Sequence, residues 1–182
     1  MLRIYYTDVV TNEFKKVNNF ENGCWVHLVA PTPAEVIQVS NNLGIKKSFL
    51  MTMLDDDEKP RIDEEDGCKM FLLDVPVYDR KNGMNSIKTS PLGIIIVRND
   101  YIVTLSLQKY DLLKDFTQGK VKEFYTYKKS RFVIQMIYRV AVSYLKILRE
   151  IDARIEKVEE RILDATKNQE LLDLLALENS LT

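Results

Sequence analysis

The sequence predicts an α+β fold: a mixed or largely antiparallel sheet with flanking helices, followed by a long C-terminal helix and the start of a second helix in a hairpin. Three observations carry this reading. Short β-rich runs separated by turn residues fill the first two-thirds of the chain. One helix with strong start and stop signals interrupts them near Pro33. From Ser130 onward the apolar period changes to seven residues, with no Gly or Pro to the end. Residues 1–129 are therefore expected to form an α/β domain and residues 130–182 a helical segment.

The elements follow in order. Leu2–Thr7 and Glu13–Val17 flank Val10-Thr11-Asn12 as a hairpin, and Cys24–Val29 is a strand ended by Ala30-Pro31. Thr32 can cap the next helix, Pro33 suits its first position, Glu35 completes a capping box and Gly44 ends it. Its apolar face is Val36, Ile37, Val39 and Leu43, and Ser48–Leu54 reads as a second, short helix. Arg61–Glu64 and Lys69–Val77 form a hairpin around Asp66-Gly67; Leu92–Val97 and Tyr101–Leu107 form another around Arg98-Asn99-Asp100. Pro76 and Pro91 place their strands at an edge or an interruption, because proline cannot donate to a ladder.

In the helical segment Ile137, Tyr144, Ile151 and Val158 recur every seven residues, with Ala141, Leu148, Ile155 and Ile162 as the companion row. A break at Thr166-Lys167-Asn168 is expected to start a second helix carrying Leu171, Leu172, Leu174, Leu175 and Leu181. That pattern reaches Thr182 with no glycine or basic last turn, so more sequence is expected to follow in a parent protein.

Composition narrows the chemistry. The 182 residues carry 26 Lys and Arg against 27 Asp and Glu, without the basic excess of a nucleic-acid footprint. Lys120, Lys122, Lys128, Lys129 and Arg131 surround Phe124, Tyr125 and Tyr127, a pattern that also suits a solvated surface meeting headgroups or an acidic neighbour. Cys24 and Cys68 lack metal-ligand spacing and read as buried thiols. No signal peptide opens the chain, and no apolar run approaches the ~20 residues of a membrane span. No phosphate loop or nucleophile elbow is present, so an enzyme is not expected.

Two features bear on metals. In Asp55–Asp66 eight of twelve residues are carboxylates, the oxygen-rich chemistry that hard divalent cations prefer. The spacing is not that of an EF-hand, since Lys59 and Pro60 occupy its fifth and sixth positions. His27, the single histidine, alternates with Trp25 and Val29 on one strand face and reads as a packed, hydrogen-bonded residue.

The order of short motifs resembles the CorA family of divalent-cation transporters. Trp25-Val26-His27-Leu28, Pro31-Thr32-Pro33-Ala34-Glu35, Leu43-Gly44-Ile45, Leu54 and Glu58-Lys59-Pro60-Arg61 come first. Phe71–Tyr78, Leu92–Ile96, Val103-Thr104 and Leu148-Arg149-Glu150-Ile151-Asp152 continue it.

The resemblance implies an αβα sandwich on the cytoplasmic side of the cell membrane and a homo-oligomer, a pentamer in the complete transporter. It also implies membrane attachment through helices beyond Thr182. That family's pore signature is Gly-Met-Asn, but Gly83-Met84-Asn85 has no apolar segment before it and reads as coincidence. The family's regulatory-metal carboxylates fall here on Met51 and Thr52, and on Val142 and Ser143, which are poor ligands. Asp55, Asp57 and Glu58, with a neighbouring subunit, are the expected ligands for Mg²⁺ or another divalent cation. The expected function is a regulatory domain that senses cations and couples to a pore elsewhere. The alternative is a stand-alone module whose helical hairpin binds a protein partner.

Overall fold

The computed structural model describes residues 1–79 and 86–180. Its elements are β1 (Leu2–Thr7), β2 (Phe14–Val17), β3 (Trp25–Val29), α1 (Pro33–Leu43), α2 (Lys47–Thr52), β4 (Arg61–Glu65), β5 (Cys68–Asp79), β6 (Ser86–Val97), β7 (Tyr101–Ser106), α3 (Asp111–Thr117) and α4 (Lys129–Ser180). The strands form one mixed seven-stranded sheet in the order β2-β1-β3-β7-β6-β5-β4. Every pairing is antiparallel except β3 with β7, where Trp25 lies beside Ile102 and Val29 beside Ser106. Two compact units divide the chain, Met1–Ser143 and Tyr144–Thr182.

Strand alternation sorts side chains onto two faces of the first unit. Ile4, Val26, Leu28, Met70, Leu72, Ile95, Val103 and Leu105 point to one face, where Val36, Val39 and Leu43 of α1 and Leu50 of α2 close over them. Helix α1 starts as its sequence dictates. The Glu35 amide donates to Thr32 Oγ1, the Glu35 carboxylate accepts from the Thr32 amide, and Gly44 ends the helix at φ 64°.

The opposite face is aromatic. Trp25 is fully buried against Tyr5, Phe124 and Phe132, at ring-centroid distances of 5.0, 5.8 and 5.0 Å. Phe116 of α3 joins Phe124 and Phe132 at 5.1 and 5.3 Å. Helices α3 and the start of α4 therefore cover this face, which completes an αβα sandwich. Phe132, Val133, Met136 and Val140 form the buried stripe of α4, spaced as one helix face.

The structure departs from expectation in three places. Helix α4 continues through Thr166-Lys167-Asn168 without the break expected there, so no hairpin forms among the described residues. None of these residues lacks an amide donor, Thr166 Oγ1 donates to the Ile162 carbonyl at 2.9 Å, and Gln169 bonds Asp173 at 3.0 Å one turn on. Second, the buried stripe of α4 is Phe132, Val133, Met136 and Val140, which the seven-residue periodicity does not mark. Ile137, Leu148, Ile155, Val158 and Ile162 all remain exposed. Third, β5 and β6 are longer than the sequence suggested and lie inside the sheet order, although both contain proline. Pro76 and Pro91 fit because β4 pairs β5 only as far as Leu72 and β7 pairs β6 only from Leu92. Around both prolines the two strands have only each other among the described residues, so each stands at a local edge. Gly83-Met84-Asn85 lies outside the described residues.

Gly93 lets the residue that caps α2 lie directly against the sheet. A Cβ there would stand 2.6 and 2.8 Å from Cγ and Cβ of buried Met53. Those atoms are too close to the backbone to swing aside. Gly93→Ala is therefore expected to destabilise the domain by about 1–3 kcal/mol, the usual cost of overpacking. Urea unfolding of the two proteins measures it, and equal midpoints would show that α2 shifts freely.

Candidate functional site

The acidic segment between α2 and β4 is held by its own charges. Asp55 Oδ1 accepts the Asp57 amide at 3.1 Å, an Asx-type turn. Glu58 pairs with Arg61, whose Nε also donates to Asp63 at 2.6 Å. Asp56 turns toward β6, reaching Lys88 and Ser90 Oγ at 3.2 Å each. Lys46 takes Glu65 and Asp66 at 2.5 and 2.9 Å, and Lys69 takes Glu64 at 3.2 Å. Of the eight carboxylates, Asp55 and Asp57 alone have no ion pair among the described residues.

The structure therefore does not bring Asp55, Asp57 and Glu58 together as ligands. No group of three or more His, Cys, Asp or Glu able to hold a metal occurs among the described residues. Consecutive turn residues point apart, and Arg61 within the segment, with Lys46, Lys69 and Lys88 opposite it, draws carboxylates to itself. Met51 is exposed on α2, Thr52 Oγ1 donates to the Ser48 carbonyl, and Ser143 Oγ donates to the Val140 carbonyl. None of these supplies a carboxylate in place of the missing ligands.

A polar group that the sequence did not disclose lies beside Asp56. The buried Tyr110 hydroxyl donates to the Pro91 carbonyl at 2.8 Å, and burial pushes its pKa up to about 12. Asp74 lies opposite Pro91 in the β5–β6 register. Partial burial, and secondarily the charge of Asp56, raise its carboxyl pKa above the ordinary value. Register across the β5–β6 pair creates this group, and no spacing in the sequence announces it.

The second polar centre is His27. Thr104 lies beside His27 in the parallel β3–β7 pair, and its Oγ1 is 2.8 Å from Trp25 Nε1 and 2.9 Å from His27 Nδ1. The indole can only donate, so Thr104 Oγ1 accepts from Trp25, and the same hydroxyl can serve Nδ1 of either neutral tautomer. Nε2 has no partner among the described residues. Burial, then the charge of Arg3 directly across the β1–β3 pair, lower the His27 pKa to about 4. The ring is neutral at pH 7. The sequence identified a packed strand histidine, but its partner is 77 residues away.

The class this architecture defines is an α+β sandwich, a mixed seven-stranded sheet with helices on both faces, whose last helix is long. Residues 20–182 match the family described as CorA-like Mg²⁺ transporter protein. The chain is 24% identical over 166 residues to the cobalt/magnesium transport protein CorA of Methanocaldococcus jannaschii, covering 86% of this chain and 49% of that protein. Among solved structures, the soluble domain of CorA from the same organism superposes with a TM-score of 0.74 at 20% identity, over 90% of this chain and 64% of that one. The cytoplasmic domain of ZntB from Vibrio parahaemolyticus gives 0.67 at 12% identity, over 85% and 63%.

The chain belongs to the CorA-like Mg²⁺ transporter family. It spans about half the length of the curated relative it matches, and no helix among the described residues is long and apolar enough to cross a membrane.

The His27 environment has a consequence for stability. The folded chain resists protonating His27 until about pH 4, whereas the unfolded chain takes that proton near pH 6.5. Between these values the unfolded state binds more protons, so stability falls as pH drops through the window and is fully present above it. The loss is on the order of 3 kcal/mol at the acid end of the window. Comparing chemical unfolding of the wild type with His27→Gln between pH 7 and 4 isolates this contribution from the carboxylates. A pH dependence that is identical in both proteins would remove His27 as its source.

Proposed function

We propose that this chain is the cytoplasmic domain of a CorA-like transporter of Mg²⁺ or a related divalent cation. The family match over residues 20–182 is the observation that carries the reading. The fold shared with the CorA soluble domain supports it. The relatives are transporters, and the polar groups described above assemble no nucleophile with a base, so a hydrolase has no positive support. On this reading the membrane-crossing pore is contributed by sequence outside this chain, as coverage of 49% of the curated relative suggests.

The domain would act as a cation-responsive regulator in a homo-oligomer. Asp55 and Asp57, which have no ion pair among the described residues, are the carboxylates available to a shared cation, with Glu58 joining when it leaves Arg61. The described residues of one copy gather no three such ligands, so on this reading a second copy completes the site. Carboxylates facing one another across two copies repel until a cation bridges them, and bridging selects the assembled state.

Two measurements test separate parts of this reading. The full-length parent, expressed in cells unable to take up Mg²⁺, is expected to restore growth on limiting Mg²⁺; failure to move Mg²⁺, Co²⁺ or Zn²⁺ would sink the transport reading. Calorimetric titration of the parent with Mg²⁺ is expected to show regulatory binding that weakens by about tenfold or more in Asp55→Ala/Asp57→Ala/Glu58→Ala, as loss of charged ligands requires. Equal binding by both proteins would eliminate these three residues and leave transport standing.

A further inference from the structure

A cleft of about 430 Å³ opens on the aromatic side of the sheet, between β1, β3 and α3, away from the acidic segment. Its inner wall includes Tyr5, His27, Val29 and Leu113, all buried. Arg3, Lys109 and Lys114 line its outer part and are exposed. Asp111 is the one carboxylate among the lining residues. The Met1 ammonium also lines the cleft, but Glu35 Oε2 holds it at 2.8 Å.

Two observations set this cleft apart from an ordinary surface hollow. First, Arg3, Lys109 and Lys114 have no ion pair among the described residues, whereas Lys46, Arg61, Lys69 and Lys88 around the acidic segment each hold a carboxylate. Three positive side chains line the cleft against one negative one. Second, the wall contains a polar atom, on a buried side chain, that has no partner among the described residues. Thr104 engages His27 at Nδ1, so Nε2 is the ring atom left for whatever enters the cleft. The imidazole is neutral at pH 7 and adds no charge of its own.

We infer that this cleft binds a small ring-bearing phosphate ester of the nucleoside monophosphate type. Arg3, Lys109 and Lys114 would take the phosphate, and the ring would lie against Tyr5, Val29 and Leu113 with His27 Nε2 as the directional contact. Size and lining decide the class. The volume is in the range of small organic ligands and far exceeds an inorganic anion. The cationic rim selects for phosphate or carboxylate. The apolar and aromatic wall gives a free inorganic ion nothing to bury. This inference does not depend on the transport reading, since it concerns binding by this chain alone.

Trp25 provides the signal. It is the single tryptophan, and its ring centroid lies 5.1 Å from that of His27. Titrating the full chain with AMP is expected to change Trp25 fluorescence saturably. Adenosine and inorganic phosphate are each expected to bind at least about tenfold more weakly, because each lacks one half of the contacts. Arg3→Gln and Lys114→Gln, both at exposed positions, are expected to weaken AMP binding about tenfold each while leaving the unliganded melting temperature in place. Imidazole ¹⁵N resonances are expected to shift at Nε2 on addition of AMP. Absence of AMP binding up to about 10 mM, well above the affinities of useful ligand sites, would overturn the proposal. So would AMP binding that ignores both substitutions, or phosphate alone binding as tightly as AMP.

Discussion

The parallel contact between β3 and β7 is the constraint around which the first unit is organised. It is the sole parallel pairing in the sheet, and it joins segments separated by nearly eighty residues. Between them in the chain lie α1 and α2, which pack on the sheet, and the β4–β5–β6 meander, which extends the same sheet on the other side of β7. Closing the parallel contact places Thr104 under Trp25 and His27 at once. A fully buried indole N–H without an acceptor would cost free energy comparable to a lost hydrogen bond, as would a buried imidazole. One hydroxyl meets both needs. The same pairing sends Val26, Leu28, Val103 and Leu105 to the opposite face, where α1 and α2 cover them. Both layers of the sandwich therefore depend on one register.

Charge follows a different logic in the two polar regions. In Asp55–Asp66 the negative charges are numerous, but Lys46, Arg61, Lys69 and Lys88 stand close enough to divide most of them into local pairs. These pairs are exposed or half-exposed, so each contributes little to stability and can exchange partners at small cost. Density of carboxylates is thus a poor guide to a metal site. What matters is whether at least three can converge, and a short turn with interleaved cations makes them diverge. Around Arg3, Lys109 and Lys114 the total charge is smaller, yet no ion pair engages it among the described residues.

The parts of this architecture that were legible in the sequence share a local cause. The capping box of Thr32 and Glu35, the αL stop at Gly44, the turn at Asp66-Gly67 and the strand alternation in Trp25–Val29 each depend on residues within a few positions of one another. What escaped depends on contacts distant in sequence. His27 was recognisable as a packed histidine, but only the β3–β7 register supplies Thr104. The prolines of β5 and β6 signalled an edge; that the edge is local, on strands inside the sheet, required knowing how far β4 and β7 extend. The seven-residue rows of α4 were real as a pattern, but periodicity cannot say what a stripe faces, and Phe132, Val133, Met136 and Val140 took the sheet instead. The expected helix break failed for a simpler reason: Lys is a good helix former, Thr and Asn are only mediocre ones, and mediocre propensity does not end a helix.

The start of α4 shows how the aromatic layer substitutes for local signals. Lys129, in its first turn, is largely buried, and burial lowers its pKa. A cation there opposes the helix dipole, and the first turn contains no acidic residue to offset it. The helix nonetheless begins here, because Phe132 packs between Trp25, Phe116 and Phe124 at centroid distances of 5.0, 5.3 and 4.7 Å. Trp25 is thus shared, with His27 tilted against it at 5.1 Å and Phe132 edge-on at 5.0 Å. A group bound at His27 Nε2 would lie only two rings from the first turn of α4. Contiguity alone transmits nothing, since coupling needs an element with two arrangements that both ends bias. At the start of α4 the rings do not act alone: Arg131 pairs with Glu123, and Gln135 Nε2 donates to the Lys122 carbonyl at 3.1 Å, so any second arrangement there would have to give up polar contacts as well as ring packing.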